Sequence, residues 1–247
     1  MKHSISFLLL VLSFIGCKDK SAPVNPTLPG DISGKISLYT DNGIILQDRS
    51  DVQVSIESTS LSTITSSDGS WKLSRVPIGD YTSRLVFTKA GFITVKAFVY
   101  TTKGEPYYLG NMSMAQVPPV KVTELHVSRP DEGGNLQIQG KISSADSFHR
   151  FVGIIYALSP ISISPTVGYM SEYGAYLMPD SISFSIILQY YDQYATTHGI
   201  PRGSIVYFRA YAQPRNGYLP NYNQMTGLYE IYTPGVTLSN LDSVTVY

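Results

Sequence analysis

The 247 residues include 18 basic and 18 acidic side chains, so the chain lacks the concentrated positive charge that a phosphate backbone requires, and nucleic acid is excluded as a partner. Cys17 is the one cysteine, which rules out a disulfide framework and leaves buried apolar surface to supply stability. Nineteen tyrosines against nine phenylalanines favour strands with wet outer faces, and the same residues suit surfaces that bind sugars or proteins.

The chain begins with a polar head at Lys2 and His3, an apolar run from Ser4 to Ile15, then Gly16-Cys17 and Lys18-Asp19-Lys20. This is the layout of a secretory signal with a small residue at the cut. The stretch from Ile5 to Ile15 is shorter than the roughly 20 apolar residues a bilayer-spanning helix needs. Phe14-Ile15-Gly16-Cys17 resembles the lipobox of bacterial lipoproteins, with Phe14 standing where that motif usually carries leucine. The resemblance implies removal of residues 1–16 and lipidation of Cys17 as the mature N-terminus. The membrane is then a partner through acyl chains, each buried methylene contributing about 0.8 kcal/mol. Plain secretion with an incidental cysteine is the alternative. Cleavage would remove Lys2 and leave 17 basic and 18 acidic residues. Residues 17–29 carry Pro23, Pro26 and Pro29 among small and polar neighbours, the composition of a flexible tether. Lys18-Asp19-Lys20 is similar to the charged signal that directs some Gram-negative lipoproteins outward, which implies an outer-membrane protein facing the cell exterior.

From Asp31 the chain breaks into short alternating runs. Ile32 to Leu38, Val52 to Ile56 and Leu61 to Thr65 have the period of half-buried strands. Ser67-Asp68-Gly69-Ser70 supplies a turn, and Trp71-Lys72-Leu73 resumes as a strand. Val76 to Tyr81 turns the chain again before strands at Thr82 to Thr88 and Ile93 to Tyr100. Gly34-Lys35-Ile36, Val52-Gln53-Val54, Thr65 to Trp71, Val76-Pro77-Ile78-Gly79-Asp80-Tyr81 and Lys89-Ala90-Gly91-Phe92 together resemble a carboxypeptidase regulatory-like domain, a transthyretin-like β-sandwich. The expected bounds of this unit are 30–116. The resemblance implies no catalysis, because such modules accompany active sites without carrying them. Asp68 reads first as turn chemistry and second as a calcium ligand.

Val117-Pro118-Pro119-Val120 is a stiff connector to a second β unit, expected over 117–247. Leu136 to Ile142 alternates cleanly, Val152 to Ala157 is a continuous apolar run suited to a strand covered on both faces, and Ser181 to Leu188 alternates again. Helical spacing across Ile187 to His198 predicts a short helix. Ile205 to Ala212 is the last strong strand. Val152-Gly153-Ile154-Ile155-Tyr156 and Val206 to Ala212, followed by Asn216-Gly217, are similar to fibronectin type III-like, or Ig-like, modules of bacterial surface lipoproteins. The fold class expected throughout is all-β, two consecutive sandwiches.

Candidate binding residues come from the tyrosines. Alternation places Val206, Phe208 and Ala210 toward the core and Tyr207, Arg209 and Tyr211 on an exposed face, where rings and a guanidinium could meet a sugar or a partner. Tyr169, Tyr173 and Tyr176, then Tyr190, Tyr191 and Tyr194, then Tyr218 and Tyr222, are expected in loops, the second trio on the short helix, where core packing competes with binding. Cross-strand pairing on a solvated sheet is the structural counterpart of the binding reading.

Catalytic motifs are missing: no Gly-x-Ser-x-Gly, phosphate loop, dinucleotide fingerprint or His-Glu-x-x-His occurs. His126, His149 and His198 have no metal-ligand spacing, and Asp131-Glu132 sits beside Gly133-Gly134 in an expected hairpin loop. No enzyme activity, cofactor or metal is expected. Two roles remain: a lipid-anchored envelope protein that binds a glycan or protein ligand or mediates adhesion, or a structural spacer docking another envelope protein. Cys17→Ser should move the protein from the membrane fraction to the soluble one or leave its signal uncut, as fractionation and intact mass would show; an unchanged membrane pool of unchanged mass contradicts lipidation.

Overall fold

The computed structural model describes residues 30–76, 82–100, 106–145, 147–160, 171–215, 221–223, 228–230 and 237–247. The expected signal, Cys17, the tether, the turn at 77–81, Tyr169, Asn216-Gly217 and Tyr218 lie outside them, as does the side chain of Tyr222. The fold is all-β, with one short helix among the described residues.

The first part of the chain runs β1 (Gly30–Tyr39), β2 (Gln53–Ile56), β3 (Ser62–Ile64), β4 (Ser70–Val76), β5 (Thr82–Thr88), β6 (Val95–Tyr100) and β7 (Tyr107–Ala115). They form two sheets, ordered β4-β1-β7 and β3-β2-β5-β6. The alternating apolar residues, Ile32, Ile36 and Leu38 from β1 and Val54 and Ile56 from β2, close on one cluster with Trp71, Leu85, Phe87 and Met114. Trp71 meets Phe87 edge to face, ring centroids 5.5 Å apart, a favoured arrangement of ring quadrupoles. Strand β7 is unheralded in the sequence because Gly110, Asn111 and Ser113 interrupt its apolar residues. It pairs parallel with β1, setting Met112 beside Ile36 and Met114 beside Leu38.

The β3–β4 connection shows what Asp68 does. Its Oδ1 accepts hydrogen bonds from Ser66 Oγ at 2.7 Å, Ser70 Oγ at 2.7 Å and Ser70 N at 3.0 Å. Those serine donors hold the carboxyl well below the usual carboxylate range. Gly69 follows at φ 81, where a Cβ would stand 2.2 Å from the Ile36 carbonyl oxygen, so the turn demands glycine. Asp68 is engaged as a turn residue.

The second part runs β8 (Val122–Ser128), β9 (Leu136–Ile142), β10 (Arg150–Ala157), β11 (Ser171–Leu177), β12 (Ser183–Leu188), α1 (Tyr191–Thr197), β13 (Ile205–Gln213), β14 (Asn221–Asn223), β15 (Leu228–Glu230) and β16 (Asp242–Thr245). Sheets β11-β10-β13-β16 and β12-β9-β8 enclose a second cluster that includes Leu136, Ile138, Val152, Ile154, Phe184, Val206, Phe208 and Ala210. The core assignment of Val206, Phe208 and Ala210 therefore holds. Asn240 lies along the edge of β8: its amide oxygen accepts from Leu125 N at 2.8 Å and its amide nitrogen donates to Leu125 O at 2.9 Å. Asp242 Oδ2 accepts from Val127 N at 2.7 Å. Side chains thus satisfy an edge that would otherwise invite another strand.

The two parts meet at Asp41, whose carboxylate accepts from Arg150 Nη2 at 2.9 Å and whose carbonyl accepts from Arg215 N at 2.9 Å. The Arg150 side chain is only 4% exposed and that of Asp41 19%, so the bridge is poorly hydrated and neutralises a cation that would otherwise be costly to bury.

Gly140 faces the second core, where a Cβ would fall 2.3 Å from Phe184 Cζ and 2.5 Å from the Glu124 carbonyl oxygen. Gly140→Ala should destabilise the protein by about 1–3 kcal/mol through overpacking, read as a lower urea midpoint at unchanged slope. An unchanged midpoint would contradict this packing.

Candidate functional site

Helix α1 has 7 residues, too few to persist by backbone hydrogen bonding alone. Arg129, just past β8, grips Asp192 with both nitrogens, Nη1 to Oδ2 at 2.8 Å and Nη2 to Oδ1 at 2.7 Å. Arg129 Nη2 also donates to the Thr245 carbonyl, and Tyr247 N donates to Asp192 Oδ1 at 3.1 Å. The guanidinium sits over the Tyr247 ring, 4.8 Å from its centroid. From the β8–β9 loop, Asn135 Oδ1 accepts from Tyr190 N at 3.0 Å. Asn135 is itself held by donating to Asp131 Oδ2 at 2.8 Å, a bond that lowers the Asp131 carboxyl, helped by the Gly133 amide. Tyr190 has φ 53 and ψ 36, a left-handed conformation that costs a non-glycine residue on the order of 1 kcal/mol. The strain is sustained by contacts on both sides of it.

Held this way, α1 sets its tyrosines against those of the sheet. Tyr173 of β11 stacks on Tyr156 of β10 at 5.6 Å. Tyr191 meets Tyr156 edge-on at 6.5 Å and Phe208 at 6.1 Å. Tyr194 stands edge-on to Tyr173 at 6.2 Å and stacks on His198 at 4.0 Å. Tyr173, Ile187, Leu188, Gln189, Tyr191 and Tyr194 line a cleft of about 350 Å³, at the small end of ligand sites. Burial, with the neighbouring Tyr156 phenol next in weight, pushes the Tyr173 and Tyr191 phenols well above the usual tyrosine range. Tyr191 is 1% exposed, and its Oη is buried without a hydrogen-bond partner among the described residues.

The six residues singled out from sequence separate. Tyr191 and Tyr194 come together in the cleft, at the helical spacing that marked them. Tyr190 is 65% exposed and does not line it. Tyr207 and Arg209 are half-buried on the opposite face of β13. The expected exposure of Tyr211 is overturned: it is 0% exposed and its Oη accepts from Gln213 Nε2 at 3.0 Å. The reason is the neighbouring strand. Tyr211 pairs with Gly153 and Arg209 with Ile155, and Ile155 is itself fully buried, so this face of the sheet is covered here. A second correction concerns Tyr173 and Tyr176, expected in a loop and found on β11, which pairs with β10 throughout. Sequence reading passed over Ile187, Gln189 and the Arg129–Asp192 grip; no local signal marks them, since Arg129 and Asp192 are 63 residues apart.

A larger open groove of about 740 Å³ crosses β8, β9 and β12. Its Lys141 is neutralised by Glu124 at 2.8 Å, and His126 Nδ1 lies 3.4 Å from Asp242 Oδ2. No aromatic platform accompanies them, since Phe184 is buried. Among the described residues no three His, Cys, Asp or Glu side chains converge as a metal site, and no helix is long and apolar enough to cross a membrane.

No family model matches the chain, and no curated protein matches it. Among solved structures, it is similar to a Bacteroides uniformis protein provisionally described as carbohydrate-binding, at 10% identity over 88% of this chain and 99% of that one, TM-score 0.31. A DUF3823 family protein from Bacteroides ovatus is similar at 14% identity over 88% and 99%, TM-score 0.29. A cohesin–X-dockerin complex of Acetivibrio cellulolyticus is similar at 23% identity over 36% of this chain, TM-score 0.30, and the chain spans 58% of that one's length.

Tyr191 couples the burial of this cleft to alkaline stability. Its phenol is raised in the folded state, so its contribution is fully present below about pH 10, where an unfolded tyrosine begins to ionise, and is lost as pH climbs beyond. Tyr191→Phe should flatten that alkaline decline and, by removing an unpaired buried hydroxyl, raise stability at neutral pH by about 1 kcal/mol. Urea melts from about pH 8 to about pH 12 test both; a parallel alkaline decline would contradict the burial of this phenol.

Proposed function

We propose that the protein is a non-catalytic, lipid-anchored component of a bacterial cell envelope that binds a neutral glycan through the tyrosine cleft between α1, β11 and β12. In this reading Cys17 carries the lipid, residues 17–29 tether the body to the outer membrane, 30–116 form the carboxypeptidase regulatory-like sandwich and 117–247 the fibronectin type III-like one that presents the cleft outward. The observation that carries it is the convergence of Tyr173, Tyr191 and Tyr194 on one cavity. The partly exposed rings of Tyr173 and Tyr194 offer flat apolar surface for the face of a sugar ring, with the buried Tyr191 ring packed behind them, and Gln189 adds an amide for its hydroxyls. Among the described residues no charged side chain lines the cleft, which favours an uncharged ligand.

The spacer reading is favoured by a separate observation, the Asp41–Arg150 bridge, which joins the two parts without needing any ligand. A glycan array probed with the soluble protein separates the two. Binding should appear and fall about tenfold in Tyr194→Ala, the loss expected for one stacked ring. Absence of glycan binding, or full binding by Tyr194→Ala, would remove the cleft from consideration.

A further inference from the structure

Tyr173 and Tyr176 are both on β11, but an odd spacing puts them on opposite faces of the sheet. Tyr173 turns to the core and the cleft, whereas Tyr176 is 49% exposed on the other side. That exposure coexists with support from two rings. His149 stacks against Tyr176 with centroids 5.0 Å apart and planes inclined by 26°. Phe151, its cross-strand partner on β10, props it edge-on at 4.9 Å and 70°. A ring braced in this way keeps its orientation when a ligand arrives, so little conformational freedom is lost on contact. Phe151 also remains partly exposed, and Met178 continues the apolar surface beyond the end of β11.

The charge around this platform restricts its occupant. Among the described residues, the cation next to Phe151 on β10, Arg150, is turned away into its bridge with Asp41, and the exposed surface of Tyr176, Phe151 and Met178 has no charge of its own. A charged ligand would lose hydration there without recovering it in an ion pair. An aromatic face bordered by a phenolic hydroxyl matches a ring with one apolar face and polar edges. We infer that Tyr176, braced by His149 and Phe151, is a second binding site, separate from the tyrosine cleft, for a pyranose ring of a neutral oligosaccharide.

Calorimetric titration with cellohexaose, xylohexaose, mannohexaose and maltohexaose, on wild type, Tyr176→Ala, Tyr176→Trp, Tyr194→Ala and the Tyr176→Ala/Tyr194→Ala double variant, tests this. Thermal melts confirm that each variant is folded. The wild type should bind at least one of the four; Tyr176→Ala should weaken that binding about tenfold, Tyr176→Trp should retain it, and the loss should persist when Tyr194 is already alanine. Failure of all four to bind overturns the inference, as does Tyr176→Ala affinity within twofold of wild type, Tyr176→Trp as weak as alanine, or a Tyr176 effect that vanishes without Tyr194. Sensitivity to Tyr194→Ala alone would leave the cleft standing and remove the platform; sensitivity to Tyr176→Ala alone would do the reverse.

Discussion

The grip of Arg129 on Asp192 is the contact on which the arrangement of the second sandwich turns. One guanidinium joins the end of β8, the first turn of α1 and the last residues of the chain, and hydrogen bonds to charged groups contribute about 1.5–3 kcal/mol each when their partners are held. Without it α1 would be held only by the Asn135–Tyr190 hydrogen bond and the burial of Tyr191 and Ala195, and Tyr194 would be less firmly set against Tyr173. The cleft is therefore a tertiary product: three rings from two elements, brought together by an ion pair whose members lie far apart in the chain.

The covered outer face of β10 and β13 explains most of what separates the site read from sequence from the site found. Val152 to Ala157 reads as a strand buried on both faces, and the structure agrees, with Ile155 and Ala157 as inaccessible as Val152 and Ile154. That reading already conflicts with a freely exposed Tyr207–Arg209–Tyr211 face, once β13 is known to be the neighbour of β10. Pairing decides the matter: the residue beside a buried Ile155 is Arg209, and Tyr211 packs opposite Gly153, where the missing side chain leaves room. Alternation names which residues share a face, but what covers that face depends on strands distant in sequence.

With no cross-link available, each sandwich is held by its own apolar cluster, and polar side chains finish what burial leaves open. Asp68 closes the β3–β4 turn, Asn240 and Asp242 pair the edge of β8, and Asp41 neutralises Arg150 where the two parts touch. Burying a large aliphatic or aromatic side chain contributes about 1.5–3 kcal/mol, so the clusters dominate stability and the polar contacts select one register and one docking arrangement among the alternatives.

By itself the sequence determined the all-β class, most strand positions, the short helix with its Tyr191 and Tyr194, and the core face of Val206, Phe208 and Ala210. Each of these follows from a local period, two for strands and 3.6 for the helix, or from turn chemistry such as Asp68-Gly69. The parallel partner of β1, the strand under Tyr173 and Tyr176, the burial of Tyr211 and the meeting of three tyrosines at one cleft were decided only by tertiary structure. They depend on which strands become neighbours and on an ion pair spanning 63 residues, and a local period carries no information about either.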